Sequence, residues 1–347
     1  MRSLPVIVPT IKQPIQPSPG FEKKKLSTYK LDILALCFFA CVYCSSNNGN
    51  YLRINRRKFA ALAEEQLGQH PLPSEEPALT YVWAEILTNL TRQLSTKAST
   101  WGAGETLVFS MLTDAFSPNM VKGGITEAAV RLLLERTAFR VRILTKNAIV
   151  GSAKWIRLFL QFPGRVVVGL SIGTDDDEWA RKVELGTSSP SSRLRAIRRL
   201  QEAGVPTYGM LCPIFPGLLG GNRLEHLVDQ VRPYLAEDFW AEPYNDRQNW
   251  TKMRATYAVG SAEYEWFSEV YERGNRAVWS RYATEIYTRL RAKAEREGWL
   301  PKLKYLLYEG DITAADASAF AGLKGVLMQS TPTDEGQTKN KHIAAVA

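Results

Sequence analysis

Between residues 29 and 245, short apolar runs rich in β-branched residues alternate with amphipathic stretches of helical length, and that alternation leaves few architectures open. The runs are LDILAL (31–36), TLVFSML (106–112), RVRILT (140–145), RVVVGLS (165–171), PTYGMLC (206–212) and DFWAE (238–242). Helical periodicity falls near 56–68, 125–137, 152–161, 190–203 and 223–235. In the best-marked helix Ser189 is a candidate N-cap, Pro190 suits the first turn, Leu194, Ile197 and Leu200 share a face, and Gly204 closes it. Strands alternating with helices predict βαβ units and a parallel sheet. Six units predict an α/β fold, a partial (βα)6 barrel of the TIM type, with its chemistry at the C-terminal ends of the strands.

The flanks read differently. Residues 1–28 carry Pro5, Pro9, Pro14, Pro17 and Pro19 and read as a Pro-rich lead-in, extended or disordered. Residues 29–245 form the core barrel. Residues 246–330 read as a mostly helical C-terminal extension packed on the barrel, with a long helical stretch at about 261–297 and a strand-like LKYLLYE at 303–309. Residues 331–347 read as a flexible tail. The longest apolar run, ILALCFFACVYC at 33–44, is shorter than the ~20 residues that span a bilayer, so no membrane partner is expected. Four cysteines do not make a secreted disulfide framework, and the reducing cytoplasm is the expected location. The net charge of +9 points to an anionic partner, although each basic cluster also reads as a solvated face.

Three of the four cysteines, Cys37, Cys41 and Cys44, lie within CFFACVYC. Buried cysteine packing as a small hydrophobe is one reading. Structural zinc is a second, but it needs four ligands, and neither Cys212 nor His70, His226 or His342 stands in a partner motif. The third is an iron–sulfur cluster, in which three thiolates leave one iron open to a small molecule.

The spacing C-x3-C-x2-C, with Tyr43 before the last cysteine, resembles the radical S-adenosylmethionine (SAM) superfamily. Later segments resemble its spore photoproduct lyase-like branch in order and approximate spacing over about 30–245: SMLTDAFSP, RILTKN, GLSIGTDDDEWARKVE, SPSSRLRAIRRLQEAGVP and CPIFPG. The resemblance implies the partial barrel of radical SAM enzymes, a [4Fe–4S] cluster held by Cys37, Cys41 and Cys44, and SAM chelated by the open iron. It implies that Tyr43 lies along the adenosine, Thr113 holds the SAM amino group, Lys146 pairs with its carboxylate and Ser171 bonds the methionine or ribose. Backbone around Leu211 and Cys212 would frame adenine. An external one-electron reductant of flavodoxin or ferredoxin type is implied as partner.

Two departures narrow the reaction. The cysteine loop carries Leu36, Phe38, Phe39 and Ala40 where the branch favours glycine or histidine, which makes it bulkier and drier. Met111 stands where the photoproduct lyase places its hydrogen-donating cysteine, so repair by that route is not expected. Candidate substrate-facing residues are Asp114, Trp240, Glu242, Asn245 and Glu309, together with Arg53 and Arg57 in YLRINRRK, which suit a nucleic acid or nucleotide. The competing function is a non-catalytic, metal-containing nucleic-acid-binding protein.

Overall fold

The computed structural model describes residues 4–69, 79–307, 312–320 and 326–328. Its strands are β1 (Leu4–Val8), β2 (Ile15–Pro17), β3 (Tyr29–Leu31), β4 (Leu34–Leu36), β5 (Leu79–Trp83), β6 (Thr106–Phe109), β7 (Arg140–Thr145), β8 (Val166–Ser171), β9 (Thr207–Ile214), β10 (Phe239–Pro243), β11 (Leu303–Leu307) and β12 (Val326–Met328). Nine of them form one open sheet in the order β12-β11-β10-β9-β8-β7-β6-β3-β2, parallel throughout except where β2 runs against β3. The α/β class and the parallel sheet are those read from the sequence. Helices connect the parallel strands, as such a sheet requires.

The two faces of this sheet have different partners. Leu107, Phe109, Val141, Ile143, Val168, Leu170, Leu211 and Phe239 pack outward against the helices in the main core. Alternate residues, Val167, Tyr208, Met210, Trp240 and Leu306, pack together on the inner face, and Leu26 from the lead-in completes that cluster. Gly169 on β8 makes room for Tyr208, whose ring a β-carbon there would meet at 2.3 Å. Tyr208 thereby crosses β8 and donates its hydroxyl to the carbonyl of Ile143 at 2.9 Å.

The structure sharpens three of these expectations. The run LDILAL is not one strand: β3 joins the large sheet, while β4 pairs with β5 in a second sheet, β1-β5-β4. The Pro-rich lead-in, read as extended or disordered, is extended along two strands: β1 pairs in parallel with β5 and β2 pairs with β3. Both strands are sheet edges, where proline's missing N–H leaves no ladder bond unmade. A glutamine amide fills each remaining edge: Gln66 bonds both the N–H and the carbonyl of Ile7 (2.8 and 2.7 Å), and Gln93 does the same for Ile15 (2.9 and 2.8 Å). The C-terminal extension is helical, but it also continues the sheet, with Phe239 opposite Leu303 and Tyr305 opposite Val326. The long helical stretch is divided at Gly274 into Ala262–Phe267, a π-type turn Ser268–Glu272 and Arg276–Arg296. No helix among the described residues is long and apolar enough to cross a membrane. The expected tail at 331–347 lies outside the described residues.

Candidate active site

The cysteine loop leaves β4 and is tied down by its own neighbours. Asn47 donates to the carbonyl of Cys37 and Asn48 to that of Cys41, each at 3.0 Å. Ala40 sits in the left-handed region (φ 48°), which turns the chain between Cys37 and Cys41. The loop docks on residues 183–186. Val42 N–H donates to Val183 (2.8 Å) and Gly186 N–H to Phe39 (3.1 Å). Gly186 is required there, because a β-carbon would come within 2.9 Å of Phe38. Phe39 is buried in the main core, so the aromatic residues between the cysteines anchor the loop.

Cys37 and Cys41 are buried and Cys44 is half-buried. Burial, followed by the neighbouring Cys44 and Asp114, pushes the Cys37 thiol up to about 12. Burial likewise raises Cys41, against the pull of Lys146. One cavity is lined by all three cysteines together with Tyr43, Ser110, Met111, Thr113, Asp114, Lys146 and Ser171. These residues come from four segments of the chain, the cysteine loop after β4 of the small sheet and the C-terminal ends of β6, β7 and β8 of the large one.

Lys146 is the cation of this cavity. Its ammonium lies 5.6 Å from the centre of the Tyr43 ring. Burial lowers its pKa, but Cys41 and Glu184 outweigh that and raise it, so the group stays charged. Asp114, read as substrate-facing, has a different task. Its carboxylate accepts from the Thr145 hydroxyl (2.9 and 3.0 Å), Lys146 N–H (2.7 Å) and Phe116 N–H (2.9 Å), clamping the ends of β6 and β7 together. Ser171 donates to the carbonyl of Cys212 at 2.9 Å, fastening β8 to β9. Its oxygen retains acceptor capacity on the cavity wall. Thr113 makes only long contacts, 3.4 Å to Asp32 and to the carbonyl of Leu34. Ser110 has φ 60°, and its buried hydroxyl has no hydrogen-bond partner among the described residues.

Sequence reasoning missed the network that seats the loop. Glu184 accepts from the Tyr43 hydroxyl and forms an ion pair with Arg193, and both members of the pair are almost fully buried. Arg193 also donates to the carbonyl of Ser171 at 2.6 Å. Burial alone would raise the Glu184 pKa, but Arg193 and Lys146 hold it below the usual carboxylate value. A signal was present. Arg193 falls on the face shared by Ile197 and Leu200, and a charge at core spacing requires a buried partner. Asp32 was also missed; burial raises its pKa despite Lys30, and it accepts from Leu112 N–H at 3.2 Å.

The remaining candidates scatter. Cys212 donates its thiol to Glu242 at 3.2 Å across β9 and β10, and Arg247 approaches Glu242 at 3.9 Å. Leu211 turns its side chain to the outer core, so only its backbone faces inward. Asn245 folds back on the carbonyl of Pro243 (3.0 Å). Trp240, expected to line a substrate pocket, is fully buried near the start of β10. Arg57 is exposed on the helix Asn50–Leu67, away from the cavity. Arg53 lies on the same helix, with its side chain outside what the structure describes, and Glu309 lies outside the described residues.

The residues fit a cluster with an open iron better than structural zinc. Among the described residues no group of three or more His, Cys, Asp or Glu side chains is drawn together closely enough to hold a metal ion, the three cysteines included, so the preference rests on the donor set. No fourth cysteine or histidine lines the cavity. Cys212 is engaged with Glu242 and His226 with Gln230 (3.2 Å). His70 and His342 lie outside the described residues.

No protein-family model matches the chain. Over 72 residues it is 38% identical to an uncharacterized protein of Mycobacterium tuberculosis, 20% of this chain and 21% of that protein. Over 128 residues it is 25% identical to an uncharacterized protein of Methanocaldococcus jannaschii, 37% of this chain and 46% of that one. The matches thus span less than half the length of these curated relatives. Among solved structures the chain is similar to spore photoproduct lyase with bound AdoMet and dinucleoside spore photoproduct, at 16% identity and TM-score 0.45 over 72% of this chain and 66% of that one. It is similar also to native anSMEcpe with bound AdoMet, at 12% identity and TM-score 0.41 over 78% and 62%.

Proposed function

We propose that this chain is a radical SAM enzyme acting by hydrogen abstraction. The observation that carries the reading is the single cavity at the strand ends, which gathers Cys37, Cys41, Cys44, Tyr43, Thr113, Lys146 and Ser171. The sequence resemblance assigned those seven residues to one site. When bound and reduced by one electron, the [4Fe–4S] cluster would cleave SAM to a 5′-deoxyadenosyl radical and methionine.

The chain's residues supply binding and orientation. Cys37, Cys41 and Cys44 would ligate three irons, and the raised thiol pKa values of Cys37 and Cys41 mean that ligation there must release protons from a dry loop. Lys146, charged and without an ion pair among the described residues, would meet the SAM carboxylate as a point charge. Ser171 and Thr113 offer hydroxyls on the same wall, and the left-handed Ser110 offers a third whose partner is unfilled. The Tyr43–Glu184–Arg193 network fixes the loop, so the thiols need not reorganise when the cluster binds. The electron would come from an external flavodoxin- or ferredoxin-type protein. The substrate class we favour is a nucleic acid or nucleotide, supported by the net charge of +9. A cytoplasmic location fits four free cysteines and an oxygen-sensitive centre.

The test is anaerobic reconstitution with iron and sulfide, reduction with dithionite in the presence of SAM, and product analysis. Formation of 5′-deoxyadenosine by wild type and not by Cys41→Ala is the expected result. A protein that binds iron and SAM without cleaving SAM would sink the enzyme reading and favour the non-catalytic binding protein.

A further inference from the structure

The inner face of the large sheet carries large side chains, and the lead-in loop between β2 and β3 packs against them. Ser18 N–H donates to the carbonyl of Thr28 at 2.8 Å, closing residues 18–28 into a compact turn. Within it lie the short helix Pro19–Glu22 and Lys25 at φ 54°, and Leu26 N–H returns to the carbonyl of Phe21 at 3.0 Å. That geometry turns Phe21 and Leu26 inward together. Leu26 is buried in one cluster with Val167, Tyr208, Met210, Trp240 and Leu306, and Phe21, Met111, Leu144 and Cys212 each pack, half-buried, against that same cluster.

Met111 and Leu144 are also walls of the cysteine cavity. The loop therefore occupies the inner space that continues from the cavity, on the side where Cys212 and Glu242 meet. Lys24 reaches the same region, where its charge acts on the Cys212 thiol. Apart from backbone bonds at the loop's base and within the turn, its grip on the sheet is apolar. Residues 19–26 form no side-chain hydrogen bond or ion pair with the strands among the described residues, and the buried hydroxyl of Ser27 has no partner. A wall held by two apolar side chains can be reshaped without breaking the sheet.

We propose that the loop 18–28 is the substrate-side wall of the reaction chamber, and that Phe21 and Leu26 determine how large a molecule can stand next to Cys212 and the cysteine cavity. This deepens the radical SAM reading and rests on it for the word substrate, but the chamber itself can be tested without a cluster. Trimming Phe21 and Leu26 enlarges the space in front of Cys212; enlarging Phe21 closes it.

The test uses the full-length chain carrying Cys37→Ser, Cys41→Ser and Cys44→Ser, in which Cys212 is the sole thiol of the sequence. Its labelling rate is measured with a small reagent, iodoacetamide, and a bulky one, fluorescein maleimide. With the loop intact, the bulky reagent should be strongly disfavoured relative to the small one. Phe21→Ala with Leu26→Ala should raise the bulky rate about tenfold or more and the small rate far less, while Phe21→Trp should lower both. Leu90→Ala, a cavity in the outer core, controls for general loosening. Equal discrimination in all variants would overturn the proposal, and so would a bulky rate that rises as much in Leu90→Ala. Because no cluster is present, either outcome leaves SAM cleavage by the unmodified chain to be judged separately.

Discussion

Arg142, on β7, and Lys146, just past its C-terminal end, are two partly or fully buried cations four residues apart, yet they live in opposite environments. Arg142 lies low on β7. Its guanidinium stacks 4.7 Å from the centre of Tyr208 and 4.6 Å from that of Trp240, with the Asp238 carboxylate at 3.7 Å. Lys146 stands just past the strand's C-terminal end and faces a cavity, with its ammonium 5.6 Å from the centre of the Tyr43 ring and no ion pair among the described residues. The lower cation is enclosed by rings and closes the sheet's inner layer. The upper one is held charged by its surroundings and left available. One end of the sheet is thus packed shut and the other opens on a cavity, which is where the proposed chemistry would sit.

The comparison can be broken first at the network beneath Lys146. Arg193→Ala leaves Glu184 as a buried, uncompensated charge, and should cost about 3–5 kcal/mol in urea unfolding. A cost below about 1 kcal/mol would mean that the pair does not seat the cysteine loop. The same pair sets a pH dependence. Glu184 has a folded pKa below its unfolded value, so its contribution is full above the unfolded value of about 4.3 and is lost as pH falls through the folded one. Urea midpoints taken from pH 7 to 3 should therefore drop more steeply for wild type than for Glu184→Gln at the acid end.

Exchanging the two cations sharpens the contrast. Arg142→Met should cost about 1–3 kcal/mol through lost ring contacts, and leave SAM binding in reconstituted protein unchanged. Lys146→Met should change stability by less than about 1 kcal/mol and abolish SAM binding by equilibrium dialysis. If both variants lose stability alike, Lys146 is a structural residue and the division between the two ends fails.

Smaller effects belong to the lead-in. Gln93→Leu strips a buried strand edge of two bonds and should cost about 1–2 kcal/mol, whereas the more exposed Gln66→Leu should cost under about 1 kcal/mol. Equal costs in thermal unfolding would show that edge capping, and not burial, sets the penalty.

The parallel α/β sheet and its outer face were legible in the chain because apolar periodicity reports burial against helices, and Leu107, Ile143, Val168 and Leu170 obey it. The cavity residues were legible by motif: three cysteines at fixed spacing and Thr113, Lys146 and Ser171 at strand ends. Local pattern could not show that Asp114 would turn its carboxylate onto Thr145 and Lys146, because that depends on β6 and β7 being neighbours. Nor could it place Trp240 low in the inner layer, where Arg142 and Tyr208 from other strands receive it. The lead-in shows the division most plainly. Its prolines exclude a central strand and say nothing of an edge, and an edge exists only once Gln66 and Gln93 stand beside it. Sequence determined what each segment could not be, by backbone chemistry and the period of its apolar residues. Tertiary structure decided which buried charges met, because a buried charge is tolerable only where the fold delivers its counterpart from elsewhere in the chain.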